Sequence, residues 1–101
     1  KNNKASARPA PPVPYTVRLH FAEPEELKPG QRVFGVSLQD KSVLEKFDIV
    51  SAAGGSQRGV VKEFKGVVIQ SDLKITFTRA PGTQAGPLLC GVELIAEQLR
   101  K

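Results

Sequence analysis

Tyr15-Thr16-Val17-Arg18-Leu19-His20-Phe21 decides the fold class. Its apolar residues Tyr15, Val17, Leu19 and Phe21 fall on one side of an extended chain, and Thr16, Arg18 and His20 on the other. A period of two is that of a half-buried strand, since successive side chains of a strand point to opposite faces. Ala22-Glu23-Pro24 stops the strand, and 25–31, with Pro29-Gly30 inside, forms a loop. The same alternation returns at 32–38 through Phe34, Val36 and Leu38. Gln39-Asp40-Lys41 turns the chain into 42–49, where Val43, Leu44, Phe47 and Ile49 give a less regular strand.

Beyond it, 51–59 is small and polar and connects, with room for a helical turn before Gly54. Two strand segments follow, 59–65 and 66–69, broken by a bulge at Gly66. Residues 72–78 alternate through Leu73, Ile75 and Phe77, 79–87 is a loop, and 88–96 supplies the last strand. Six or seven short strands with turn residues every eight to twelve positions, and no helix of ordinary length, predict an all-β sandwich or small barrel.

The 101 residues allow one small domain. Residues 1–14 hold four of the eight prolines and no large apolar side chain except Val13, the composition of an extended linker. The domain is therefore expected over 15–96, with 97–101 a polar tail. No apolar run approaches the ~20 residues of a membrane-spanning helix. Lys1 opens no signal-peptide pattern, so the chain is expected to be soluble, or a mature or excised piece of a longer one.

Charge argues against nucleic-acid recognition. Lys1, Lys4 and Arg8 alone supply three of the five net positive charges, which leaves the folded body almost balanced. A nucleic-acid interface concentrates Lys and Arg on the body, interleaved with aromatics.

Catalytic chemistry is equally poorly supplied. His20 is the single histidine and lies on the polar face of its strand, with no nucleophile motif to serve. Cys90 is the single cysteine, so it forms no intrachain disulfide or cysteine metal cluster, and its apolar neighbours predict a buried thiol. Glu23, Glu25 and Glu26 read as solvated loop charges without calcium-loop spacing. Gly54-Gly55 leads into no phosphate-binding motif. No enzyme, metal or cofactor is expected.

Several stretches, in this order and spacing, resemble malectin and malectin-like domains. They are 15–23 (Tyr-Thr-Val-Arg-Leu-His-Phe-Ala-Glu), 30–34, 43–50, 53–55, 61–64, 73–77 and 87–95. The likeness covers about residues 15–96. It implies a jelly-roll β-sandwich that binds an oligosaccharide without hydrolysing it, as an accessory module of exported or surface multidomain proteins, and hence an extracellular, periplasmic or cell-surface setting.

The family's domain is longer at its N-terminal side, where this chain has its Pro-rich stretch, so the sandwich is expected to be incomplete there. Sugar-binding relatives carry aromatic residues after the Phe-Ala-Glu motif, and this chain has Glu25 and Glu26 at those positions. Gln84, Ala85 and Gly86 stand where an acidic ligand residue is usual. The candidate sugar contacts are thus Glu25, Glu26 and Gln84, on the loops 22–31 and 79–87. The alternative expectation is a structural or protein-interaction sandwich that has lost the sugar site. Such a module would pair through its open sheet edges, as a homodimer or with a partner chain that completes the sheet.

Overall fold

The computed structural model describes residues 11–97; the expected linker residues 1–10 and tail residues 98–101 lie outside the described residues. The chain forms β1 (Val13–Ala22), β2 (Val33–Leu38), β3 (Lys41–Asp48), α1 (Ile49–Ala53), β4 (Gly59–Ile69), β5 (Ile75–Arg79) and β6 (Gly91–Ala96). They assemble as two antiparallel three-stranded sheets, in the orders β4-β1-β6 and β3-β2-β5. Of the two architectures that the alternation allows, sandwich or small barrel, the fold is the β-sandwich.

Each sheet is centred on the strand whose pattern is cleanest. From β1, Val17, Leu19 and Phe21 point inward, and from β2, Phe34, Val36 and Leu38; all six are essentially inaccessible to solvent. Phe21, Phe34 and Phe47 meet with ring centroids 4.7–6.0 Å apart in tilted and edge-on pairs, the arrangement that ring quadrupoles favour. On the outer face of the first sheet, Arg18 stands opposite Glu63 of β4 and Glu93 of β6.

Three bulges account for the irregular stretches. Between Tyr15↔Val67 and Val17↔Phe64, β4 contains one extra residue, and Gly66 there has φ +73°. The two segments expected either side of Gly66 are thus one bulged strand. Glu97 Oε2 accepts from Gly66 N (2.7 Å) and Thr16 Oγ1 (3.0 Å) at the bulge. In β3 two further shifts, around Glu45-Lys46 and at Val43, break the alternation. Gln39 and Asp40, both at positive φ, form the two-residue hairpin turn between β2 and β3.

Asp48 caps the single helical turn, accepting from Ser51 N, and Gly54 closes it at φ +81° with its N–H on Val50 O. β1 starts at Val13, so Val13 and Pro14, expected in the linker, pair with Ile69 and Val68.

The two flanks of the sandwich differ. β3 and β4 stack, with Lys62 Nζ 5.9 Å over the Phe47 ring, and they line an open cleft of about 500 Å³. The opposite flank, β5 with β6, contains no buried residue. Val92 and Leu94 share the inward face with Leu19 and Val17 yet remain 41% and 47% exposed. Cys90, expected to be buried, is exposed. It directly precedes β6 on this thinly covered flank, where apolar neighbours in sequence do not bring cover in space.

Candidate functional site

Two loops meet beyond the ends of β1 and β2, and a buried ion pair joins them. Glu23 continues the inward phase of β1 past Phe21, and Arg32 precedes the inward phase of β2. Both are therefore carried into the interior: the side chain of Glu23 is fully buried and that of Arg32 is 9% exposed. Arg32 donates from Nε to Glu23 Oε1 (2.6 Å) and from Nη2 to Oε2 (3.0 Å), the two-pronged match of guanidinium to carboxylate. Its Nη1 donates to the Gly86 carbonyl at 2.7 Å, which ties in the second loop. Hydrogen bonding to Glu23 raises the Arg32 pKa above its ordinary value against the opposing effect of burial.

This arrangement corrects one expectation. Glu23 is not a solvated loop charge like Glu25 and Glu26; it is part of the frame. A carboxylate in the interior needs a charge partner and donors to offset lost hydration. Arg32 provides the first, and the backbone N–H of Glu25 adds a donor to Oε2 at 3.3 Å.

Further bonds fasten 22–31 to 79–87. The Gln31 carbonyl accepts from Gln84 N (3.1 Å), Ala85 N (2.9 Å) and Thr83 Oγ1 (2.8 Å). Thr83 is buried, and its hydroxyl also accepts from Val33 N at 3.1 Å. Gln31 Nε2 donates to Gln84 Oε1 at 3.1 Å. Arg79 Nη2 donates to the carbonyls of Thr83 (3.0 Å) and Gln84 (2.9 Å), folding the second loop on itself. The first loop is also anchored at its Pro29-Gly30 turn, where Gly30 N donates to Asp48 Oδ2 at 2.6 Å.

Glu25, Glu26 and Gln84 are exposed on these adjoining loops. Glu25 is 67% exposed, with Oε2 3.7 Å from Arg32 Nη2. Gln84 is the one joined directly to the other loop, through Gln31. All six aromatic side chains of the sequence belong to the core or pack against it, so no ring faces solvent beside these loops. Arg32, Thr83 and Asp48 were not among the residues the sequence pattern singled out. The in-phase placement of Glu23 and Arg32 is the signal that marks the pair.

Elsewhere, His20 lies on the outer sheet face, where its Nε2 is 2.7 Å from Glu93 Oε1. Among the described residues no group of three or more His, Cys, Asp or Glu could hold a metal ion, and no helix is long and apolar enough to cross a membrane.

Residues 13–89 match the family model described as Malectin domain. The chain is 32% identical over 92 residues to a probable receptor-like protein kinase of Arabidopsis thaliana, a match covering 80% of this chain and 11% of the relative. It is 35% identical over 82 residues to the nodulation receptor kinase of Pisum sativum, covering 80% of this chain and 8% of the relative. A probable leucine-rich repeat receptor-like serine/threonine-protein kinase of Arabidopsis thaliana is 36% identical over 94 residues, covering 79% and 9%. The chain thus spans about a tenth of the length of the curated relatives it matches. No solved structure matches.

Proposed function

This chain belongs to the malectin-domain family, a carbohydrate-binding type of module, and from that membership we propose that it is a non-catalytic glycan-binding module of an exported or cell-surface multidomain protein. The observation that carries the reading is the fastening of loops 22–31 and 79–87 by Arg32, Thr83 and Gln31, which fixes a polar rim before any ligand arrives. A rim held in one geometry loses little conformational entropy on binding. That the relatives are named receptor kinases supports a surface setting.

The ligand is an oligosaccharide held by hydrogen bonds from its hydroxyls to Glu25, Glu26 and Gln84. Carboxylates accept strongly from hydroxyl donors, and the glutamine amide both donates and accepts. Ring stacking plays no part, because the aromatic side chains are committed to the core. The module binds its ligand and leaves it unchanged, the reading that its membership of a family of binding modules supports.

Titration of the full chain against a broad glycan array, followed by NMR with each hit, tests this. The expected result is amide shifts confined to 22–31 and 79–87, with affinity lost in Glu25→Gln/Glu26→Gln and in Gln84→Ala. Absence of any glycan binding by demonstrably folded protein would overturn it.

A further inference from the structure

We propose that β6 is a contact between two copies of this chain, formed when two β6 strands pair antiparallel with Leu94 of one copy opposite Leu94 of the other. The inference is independent of the glycan-binding reading and begins with the uncovered flank. Val92 and Leu94 point toward the sandwich interior yet stay nearly half exposed, and Ile95 on the outer face is 42% exposed. Among the described residues β6 has a ladder partner on one side only, β1.

The free backbone groups belong to the same residues. Glu97 donates its N–H to the Pro14 carbonyl, and Tyr15↔Ala96 through His20↔Gly91 run in unbroken register. In an antiparallel ladder residues alternate in the side to which their N–H and C=O point. Gly91, Glu93 and Ile95 therefore address β1, and Val92, Leu94 and Ala96 address the open side.

The other three sheet edges are defended and this one is not. β3 has Lys41, Glu45 and Lys46, with Lys46 at φ +51° in a bulge. β4 has Lys62 and Lys65 beside its glycine bulge. β5 is only five residues long and ends in Arg79. Lysines, bulges and shortness are the devices that prevent edge-to-edge association. β6 has no bulge, no lysine and one charge, Glu93, already matched by His20 at 2.7 Å and Arg18 at 4.0 Å.

A second copy is the occupant because the strand is complementary to itself. Charge then selects the register. Centring the two-fold on Glu93 would set two glutamates face to face across a close pair, which is unfavourable. Centring it on Leu94 sets Glu93 opposite Ile95 and Val92 opposite Ala96, and lets Val92, Leu94 and Ala96 of both strands exchange their free backbone hydrogen bonds.

Sedimentation of the full chain across a micromolar to millimolar series, under reductant so that Cys90 forms no disulfide, tests the proposal. The expected mass rises from one chain to two. Leu94→Lys should weaken association by about 30-fold or more, as for a central hot spot. Ile95→Lys, which meets Glu93 of the other copy, should retain it. Hydrogen exchange on the unaltered protein supplies a readout that needs no variant: Val92, Leu94 and Ala96 amides should gain protection with concentration, and Glu93 should not. A wild-type monomer throughout, equal loss in both lysine variants, or exchange independent of concentration would each overturn it.

Discussion

Arg32 and Glu23 face each other in the interior through two hydrogen bonds, at 2.6 and 3.0 Å, from positions at the ends of the central strands of opposite sheets. The pair links the sheets where the two candidate binding loops begin. Removing one member strands the other charge away from water, an effect worth about 3–5 kcal/mol. Arg32→Met should therefore lower unfolding free energy in urea by that amount, and Arg32→Met/Glu23→Gln should recover part of it. A Glu23→Gln cost that is the same in wild type and in Arg32→Met would show that the two side chains are not coupled.

Thr83 offers a neutral counterpart. Its hydroxyl accepts from Val33 N and donates to the Gln31 carbonyl. Thr83→Val keeps the shape and takes from Val33 N its hydroxyl acceptor, at a cost of about 1–3 kcal/mol, while the Gln31 carbonyl keeps Gln84 N and Ala85 N. Amide exchange in 79–87 should accelerate in this variant while that of Val17, Leu19 and Phe21 changes only with global stability.

Asp48 holds two elements at once, the first turn of α1 and the Pro29-Gly30 turn. Loss of a capping side chain typically costs about 0.5–2 kcal/mol. Asp48→Ala is expected in that range, with Asp48→Asn intermediate because its one amide oxygen can accept from Ser51 N or from Gly30 N but not from both. The Gly30 amide resonance should move in Asp48→Ala; an unmoved signal would deny the link.

Acid sensitivity follows from Glu63. Its hydrogen bond with Arg18 holds the carboxyl below the ordinary range. A carboxylate depressed in the folded state adds stability that is fully present above its unfolded pKa. That stability is lost as pH falls through the lower, folded value. Unfolding midpoints of wild type and Arg18→Gln should accordingly differ at neutral pH and converge on acidification. Added salt should shrink the gap at neutral pH, because the pair is exposed. A gap that persists at low pH would assign it to something other than this ion pair.

Most of the architecture was legible because β1 and β2 alternate without interruption, and their inward residues are the core. β3 was harder: one extra residue lies between Leu44 and Phe47 and another at Val43, so no single period describes it. Cys90 misled because hydrophobic neighbours report local composition, whereas burial depends on what lies across the sheet. The loops 22–31 and 79–87 could be delimited from Pro and Gly. Their fastening could not, since nothing local pairs Arg32 with Gly86, 54 positions away. The sign was present all the same. Glu23 and Arg32 extend the inward phases of their strands by one step, and charges in that phase must find each other.

Glu23 is buried while its loop neighbours Glu25 and Glu26 are exposed, so scaffold and candidate contact surface are written on different residues of one short stretch. Selection can exchange the outward pair for rings or amides while the two-pronged match of Arg32 to Glu23 and its tie to Gly86 stay in place. The loop is in this sense a replaceable address on a fixed mount, and a single buried arginine is what leaves it open to revision.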